Sequence, residues 1–162
     1  MKVTTPLLPL NFAQVDDILY RSAMPVGKEI KYLKDNYQIT DIFNLSNNAP
    51  PIALTQEIKT TKELGINYHS IPSETDKPVW EKIQFFVNSI NDLKSKGGKK
   101  ALVHCNAGVD RTGTYVLFYQ LMNKLKSYEE AVKEMIKMGH YQEDVPKLMG
   151  RIKDIALKMK LI

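Results

Sequence analysis

The sequence predicts an α/β domain built on a central, mostly parallel sheet flanked by helices. Two observations favour this class. Short β-branched or aromatic runs alternate with longer helical patterns, and after the fourth such run the pattern is entirely helical. Alternation of this kind is typical of βα units around a parallel sheet. Because the 162 residues contain no internal repeat, linker or low-complexity tract, we expect a single domain over residues 1–162.

Four short segments have the β-branched and aromatic composition of strands. The last of them is apolar up to His104, so we expect it to be buried in the sheet. The predicted strands are residues 18–21, 40–45, 66–71 and 101–104.

Three helices are predicted between these strands, at about residues 26–36, 51–64 and 78–96. Gly65 ends the second helix, and Gly97 follows the third, where a left-handed C-cap is favourable. The third helix also has an apolar stripe at helical spacing, which indicates a packed face. The stripe consists of Trp80, Ile83, Val87, Ile90 and Leu93.

Three further helices are predicted after the fourth strand. Residues 112–126 are apolar on most sides and are expected to form a buried helix. Ser127 and Glu130 have the spacing of a capping box, which starts a helix that ends at Gly139. A final helix is expected from about Val145.

The charge distribution gives no indication of a nucleic-acid partner. The chain has 23 Lys and Arg against 18 Asp and Glu, a formal charge of +5, but its lysines are scattered over amphipathic stretches. They form no block of like charges, and no aromatic residues are interleaved with them for base stacking. The charge therefore favours anionic ligands only in a general way.

Three features predict a protein of the cytoplasm. No run of eighteen or more apolar residues is present, so no membrane span is expected. Pro6 and Pro9 interrupt the apolar stretch near the N-terminus, so no signal peptide is expected either. Because Cys105 is the single cysteine, no intrachain disulfide can form, which favours a reducing compartment.

The segment from Lys100 to Gly113 carries the chemistry. Cys105 follows a strand and Arg111 opens a helix, which gives the pattern H-C-x5-R-T-G. A sharp strand-to-helix turn directs backbone N–H groups and the positive end of the helix into one concavity, which suits a tetrahedral dianion. Gly108 permits the tight loop, and the guanidinium fork can hold two oxygens at once. The predicted phosphate-binding residues are Asn106, Ala107, Gly108, Val109, Asp110 and Arg111.

A nucleophilic mechanism follows from these parts. Cys105, activated as a thiolate by the loop, attacks phosphorus and forms a phosphocysteine intermediate. The loop amides and Arg111 stabilise the equatorial oxygens of the phosphoryl group during this step. Thr112 can hydrogen-bond the sulfur and ease its departure when water hydrolyses the intermediate. His104 is expected to fix the loop by bonding the backbone. No cofactor or metal is predicted, since the three histidines lack ligand spacing.

These residues resemble a known signature. His104 to Gly113 is similar to the signature of the cysteine-dependent protein tyrosine phosphatase superfamily, and the size of the chain resembles its compact, atypical dual-specificity branch. Residues 19–25 are similar to the Tyr-Arg-Ser-Gly-Gln-Pro-type segment of plant, fungal and bacterial atypical dual-specificity phosphatases. The resemblance covers about residues 18–125. It implies a protein tyrosine phosphatase-like fold with four to five strands, and hydrolysis of phosphate monoesters.

The resemblance also implies a general acid on a mobile loop before the cysteine. Asp76, 29 positions before Cys105, lies in that place and is the first candidate. It also stands two residues before Pro78, where it could instead cap the helix that follows. Glu74 is the neighbouring candidate. Asp110 is the third, because certain bacterial phosphatases with an Asp-Arg pair are thought to use that residue.

The expected substrates are proteins that carry phosphotyrosine, phosphoserine or phosphothreonine. Phosphoinositides or inositol phosphates are the alternative, since an Asp before the signature arginine is similar to lipid-directed members; those members tend to have Lys where this chain has Val109. Arg21 could supply a further cation or be structural, and Asn47, Asn48, Gln142 and Glu143 could line the pocket. A non-catalytic phosphate-binding module is the alternative of another class, although such modules typically lose the Cys or the Arg.

Overall fold

The computed structural model describes residues 5–162, which form one five-stranded sheet and six helices. The strands are β1 (Ala13–Gln14), β2 (Leu19–Ser22), β3 (Asp41–Ser46), β4 (Asn67–Ser73) and β5 (Ala101–His104). The helices are α1 (Gly27–Tyr37), α2 (Pro51–Glu63), α3 (Trp80–Lys96), α4 (Asp110–Met122), α5 (Tyr128–Lys137) and α6 (Leu148–Lys158). Across the described residues, no helix combines the length and the apolar character that crossing a membrane requires.

The sheet has the strand order β1-β2-β5-β3-β4 and is parallel except for β1, which confirms the predicted α/β class. β5 lies in the middle, with Ser22 of β2 on one side of His104 and Asn44 of β3 on the other. The carboxyl ends of parallel strands share one edge, and ligands of open α/β sheets bind at that edge. The register therefore brings the loops that follow β2, β3 and β5 together.

Apolar side chains cover both faces of the sheet. Successive residues of a strand point to opposite faces, so Val103 packs in one core cluster and Leu102 in the other. On the larger side, α4 is buried along most of its length, and its aromatic residues meet α3: the Phe86 and Tyr115 ring centroids are 5.4 Å apart. This packing fixes the start of α4 relative to the end of β5, and the loop between them is thereby positioned.

The predicted elements differ from the observed ones mainly at their ends and in one added strand. β1 is only two residues long and pairs antiparallel with β2, so it has no periodicity to detect. α4 ends at Met122, four residues earlier than the predicted 126. Lys124 adopts a left-handed conformation with φ 55°, and the Leu125 N–H bonds back to the Gln120 carbonyl. That helix-ending motif usually contains glycine, and a lysine there gives no signal in the sequence.

The signals expected at the starts and ends of helices are partly present. Ser127 accepts a hydrogen bond from the Glu130 N–H while the Glu130 carboxylate accepts one from the Ser127 N–H, which is a complete capping box for α5. Gly97 follows α3 with φ 70°, which favours glycine, but its ψ of 157° is extended, so the cap is not the expected left-handed one. α6 begins at Leu148, three residues after the predicted start at Val145, because residues 142–147 form turns and a bend ahead of it.

Candidate active site

The loop between β5 and α4 places Cys105 beneath a concavity at the carboxyl edge of the sheet. The cysteine is 2% exposed, and its Sγ accepts hydrogen bonds from the Gly108 N–H at 3.3 Å and the Thr112 hydroxyl at 3.2 Å. Donors directed at sulfur stabilise negative charge on it. The structure therefore brings together three of the residues that the sequence singles out for phosphate chemistry.

Gly108 occupies a position where no other residue fits. Its φ is +74°, and a Cβ built there would lie 2.4 Å from the backbone N of Ala23 and the carbonyl carbon of Ser22. The segment after β2 therefore packs directly against the loop, and the Met24 N–H donates to the Asn106 carbonyl at 3.0 Å. The turn and the close approach both require glycine.

Arg21 supports the same loop from behind. Its guanidinium is 1% exposed and donates to the Gly108 carbonyl at 3.2 Å. Burial lowers the pKa of Arg21, and the charges of Glu134 and Cys105 act in the opposite direction. Since the side chain lies under the loop rather than at the mouth of the site, Arg21 is structural and does not offer a cation to a second phosphate.

Arg111 is held by the loop that follows β3 and by the end of β4. Its Nη1 donates to Asn47 Oδ1 at 2.8 Å, to Asn48 Oδ1 at 3.2 Å and to the Ser73 carbonyl at 3.3 Å. All three contacts use the same nitrogen, so the other side of the guanidinium fork stays available to an anion. Asn47 and Asn48 therefore lie beside the phosphate loop, where they orient the arginine.

His104 bonds the backbone, as the sequence predicts, and also a partner that the sequence analysis missed. Its Nδ1 lies 2.8 Å from the Cys105 carbonyl, and its Nε2 lies 2.5 Å from Glu57 Oε1. Both side chains are fully buried. Glu57 gives no clear signal in the sequence, because only the structure shows that its face of α2, with Thr61, is buried and that its carboxylate needs a partner.

The candidate acids lie on two different elements. Asp76 is in the segment between β4 and α3, 47% exposed, and its Oδ2 is 3.5 Å from Arg151 of α6. Its backbone carbonyl also accepts a hydrogen bond from Arg151 at 2.5 Å. Glu74 is exposed as well, with its carboxylate 3.8 Å from Lys77. This segment leaves β4 at Ser73, whose carbonyl contacts Arg111, so it begins at the phosphate site.

Asp110, the third candidate, opens α4. Its Oδ1 lies 2.7 Å from Nδ1 of His140, a residue of the α5–α6 connection. Neither His140 nor Arg151 was predicted to lie near the site, because each is far from the loop in sequence and has no motif around it. No group of three His, Cys, Asp or Glu residues within 5–162 could hold a metal ion.

The sequence model of the dual specificity phosphatase catalytic domain matches residues 21–150 of this chain. The match includes the whole phosphate loop, the candidate acids and His140, and it ends one residue before Arg151. No curated protein matches the chain significantly.

Solved structures have the same fold. The chain is similar to the DUF442 protein from Shewanella putrefaciens CN-32, with 22% identity and a TM-score of 0.76 over 93% of this chain and 92% of that one. It is similar to TpbA from P. aeruginosa in complex with pTyr, with 16% identity and a TM-score of 0.74 over 93% and 86%. It is also similar to the catalytic core of the PP-IP phosphatase SIW14 from S. cerevisiae, with 20% identity and a TM-score of 0.69 over 98% of each.

Proposed function

The chain belongs to the family of dual specificity phosphatase catalytic domains and is a cysteine-dependent phosphatase; on that premise we propose that it dephosphorylates phosphotyrosine, phosphoserine and phosphothreonine in proteins through a phosphocysteine intermediate. One observation carries the mechanism. The Cys105 sulfur accepts hydrogen bonds from a loop N–H and from Thr112, in a loop that ends at Arg111. These are a nucleophile, its stabilising donors and an anion-binding fork at one place.

In the first step, the Cys105 thiolate attacks phosphorus and an S–P bond forms as the bond to the ester oxygen breaks. The amides of residues 106–110 and the free side of the Arg111 guanidinium bind the three equatorial oxygens, whose charge is greatest in the transition state. The departing oxygen takes a proton from a general acid and leaves as an alcohol or phenol.

In the second step, water attacks the phosphocysteine, the S–P bond breaks and inorganic phosphate is formed. The sulfur departs as a thiolate, and the Thr112 hydroxyl, 3.2 Å from Sγ, donates to it as its charge returns. Thr112 therefore acts mainly on the hydrolysis of the intermediate.

We propose Asp76 as the general acid. Its segment starts at Ser73, which touches Arg111, and its carboxylate is half exposed and meets Arg151 at 3.5 Å. Asp110 is less suited, because its Oδ1 is engaged by His140. The proposal includes a closing movement of residues 74–79. In this movement the Asp76 carboxylate leaves Arg151 and contacts the substrate oxygen.

The choice of phosphoproteins over inositol phosphates depends on the cations around the site. Lys77 and Lys82 line a cleft of about 340 Å³ beside Asn47, which favours a second phosphate there and makes an inositol phosphate the alternative substrate. Lys77, however, already faces Glu74 at 3.8 Å, and Lys82 donates to the Pro72 carbonyl. TpbA was solved with pTyr bound, and SIW14 is named a PP-IP phosphatase, so related folds are associated with both kinds of ligand.

A panel of substrates tests both parts of the proposal. Phosphate release should be highest with phosphopeptides and lower with inositol phosphates and phosphoinositides at equal concentration; the reverse ranking would favour the alternative. Cys105→Ser should abolish release while inorganic phosphate still binds. If that variant hydrolyses normally, the phosphocysteine mechanism is wrong, and if the natural chain binds phosphate without releasing any product, it is a binding module.

The requirement for a reduced cysteine supports a cytoplasmic location.

A further inference from the structure

The end of α5 and the residues after it pack against the second half of the phosphate loop. Met135 lies over Gly113, where an added Cβ would meet its Cγ at 2.9 Å. Gly139, with φ +114°, approaches Val109, whose Cγ2 would be 3.4 Å from an added Cβ. The next residue, His140, reaches Asp110. Three contacts thus join this part of the chain to the point where the loop becomes α4.

His140 acts in this contact as a hydrogen-bond donor with a fixed tautomer. Its side chain is 1% exposed, and its Nδ1 is 2.7 Å from Asp110 Oδ1, so Nδ1 carries the proton. Nε2 is buried without a hydrogen-bond partner among the described residues. The contact with Asp110 is therefore the one hydrogen bond of this ring among the described residues.

Asp110 is a carboxylate placed next to the anion-binding arginine. It is the first residue of α4, and its own oxygens would compete with a phosphate for the Arg111 guanidinium and the loop amides if its side chain turned into the concavity. The hydrogen bond from His140 draws Oδ1 toward the α5–α6 connection instead. The side chain of Asp110 is 25% exposed, so packing alone does not confine it.

We propose that His140 is a positioning residue for the phosphatase reaction: its Nδ1–H holds the Asp110 carboxylate away from the phosphate site, which keeps the site open to dianions. This inference rests on the proposed function, because it concerns binding at the same loop. It assigns a role to the α5–α6 connection, which contacts no reacting atom.

The test is a double-mutant cycle on inorganic phosphate binding, measured by calorimetry in the Cys105→Ser background so that no turnover is needed. His140→Leu removes the donor, and phosphate affinity should fall about tenfold, the loss of one hydrogen bond to a charged group. His140→Asn places an amide N–H where Nδ1 lies, so affinity should stay within about threefold of the parent. Asp110→Asn in the His140→Leu protein should restore most of the lost affinity, because the competing charge is gone.

The same variants are then assayed for turnover with Cys105 in place. His140→Leu should raise KM for a phosphate ester much more than it lowers kcat. If His140 had only a structural role, His140→Asn would bind phosphate as weakly as His140→Leu, and Asp110→Asn would not restore the affinity. Either result overturns the proposal. Unchanged phosphate affinity in His140→Leu also overturns it. If the parent binds phosphate and the cycle behaves as expected but no ester is hydrolysed, the proposed function fails while the positioning role stands.

Discussion

The phosphate loop depends on single residues whose replacements have predictable costs. Cys105, Gly108 and Thr112 are mutually dependent, since the glycine conformation directs its N–H to the sulfur that the threonine hydroxyl also reaches. Backbone N–H groups and a positioned hydroxyl stabilise charge with little reorganisation during the reaction. The shape of the loop is therefore as important to the chemistry as the identity of the nucleophile.

Gly108→Ala should destabilise the protein and abolish activity. The new Cβ would lie 2.4 Å from backbone atoms of residues 22 and 23, which cannot move as a flexible side chain would. We expect a loss of at least about 2 kcal/mol in the free energy of unfolding, measured by urea denaturation. Gly150→Ala is the matched control, because no atom lies within 4 Å of its added Cβ on the exposed side of α6. It should be neutral or stabilising by up to about 1 kcal/mol. Equal effects of the two substitutions would contradict this account of the loop.

At the scale of elements, the segment between β4 and α3 carries the proposed general acid. Asp76→Asn should lower kcat at least tenfold on an alkyl phosphate but spare an aryl phosphate with a good leaving group, because only the poor leaving group needs the proton. Glu74→Gln, on the same exposed segment, is the control and should affect both substrates little. If Asp110→Asn shows the leaving-group pattern and Asp76→Asn does not, the acid is Asp110.

The contact between α4 and α5 should depend on pH. Burial would raise the pKa of Glu134, but hydrogen bonds from Lys126 at 2.7 Å and Gln120 at 2.6 Å, with the charge of Arg21, outweigh it and lower the pKa. A lowered pKa means that the stabilisation is complete above the unfolded-state value, about 4.3, and is lost as the pH falls through the folded-state value.

Glu134→Gln should therefore cost about 1 kcal/mol of unfolding free energy at pH 7, since the site is partly exposed, and progressively less below about pH 4.3. Denaturation at a series of pH values measures the difference. Glu143→Gln, at an exposed glutamate of the α5–α6 connection, should show a much smaller pH-dependent change. A constant penalty for Glu134→Gln across the range would show that its charge is not responsible.

The sequence predicts regular elements and local motifs well and contacts between distant elements poorly. The four parallel strands, the Ser127 capping box and the Cys105 loop all have signals contained in a few neighbouring residues. The partners that hold the site do not: Glu57 is 47 residues from His104, and His140 is 30 residues from Asp110. Such pairs depend on the sheet register and on helix packing, which a local pattern does not specify.

At the scale of the whole molecule, the proposed preference for a single phosphate depends on how the cations near the site are used. The chain carries a net charge of +5. Arg21, however, lies beneath the phosphate loop, where it donates a hydrogen bond to the Gly108 carbonyl. The lysines at the rim are engaged by Glu74 and by the Pro72 carbonyl. On the proposed mechanism, the overall charge attracts phosphate esters at long range, and the loop recognises a single phosphate.

The presence of one cysteine in the whole chain determines how the protein responds to oxidants. Peroxide should inactivate it by oxidising Cys105, and because no second cysteine exists, no intrachain disulfide can protect the sulfur. Dithiothreitol should restore activity after brief exposure, when the sulfur is a sulfenic acid or is bonded to an external thiol, and should fail after prolonged exposure, when it is a sulfinic acid. Peptide mass mapping of the Cys105 segment follows each stage and separates it from oxidation of the seven methionines. Full recovery after prolonged exposure, or loss of activity with Cys105 unmodified, would contradict this prediction.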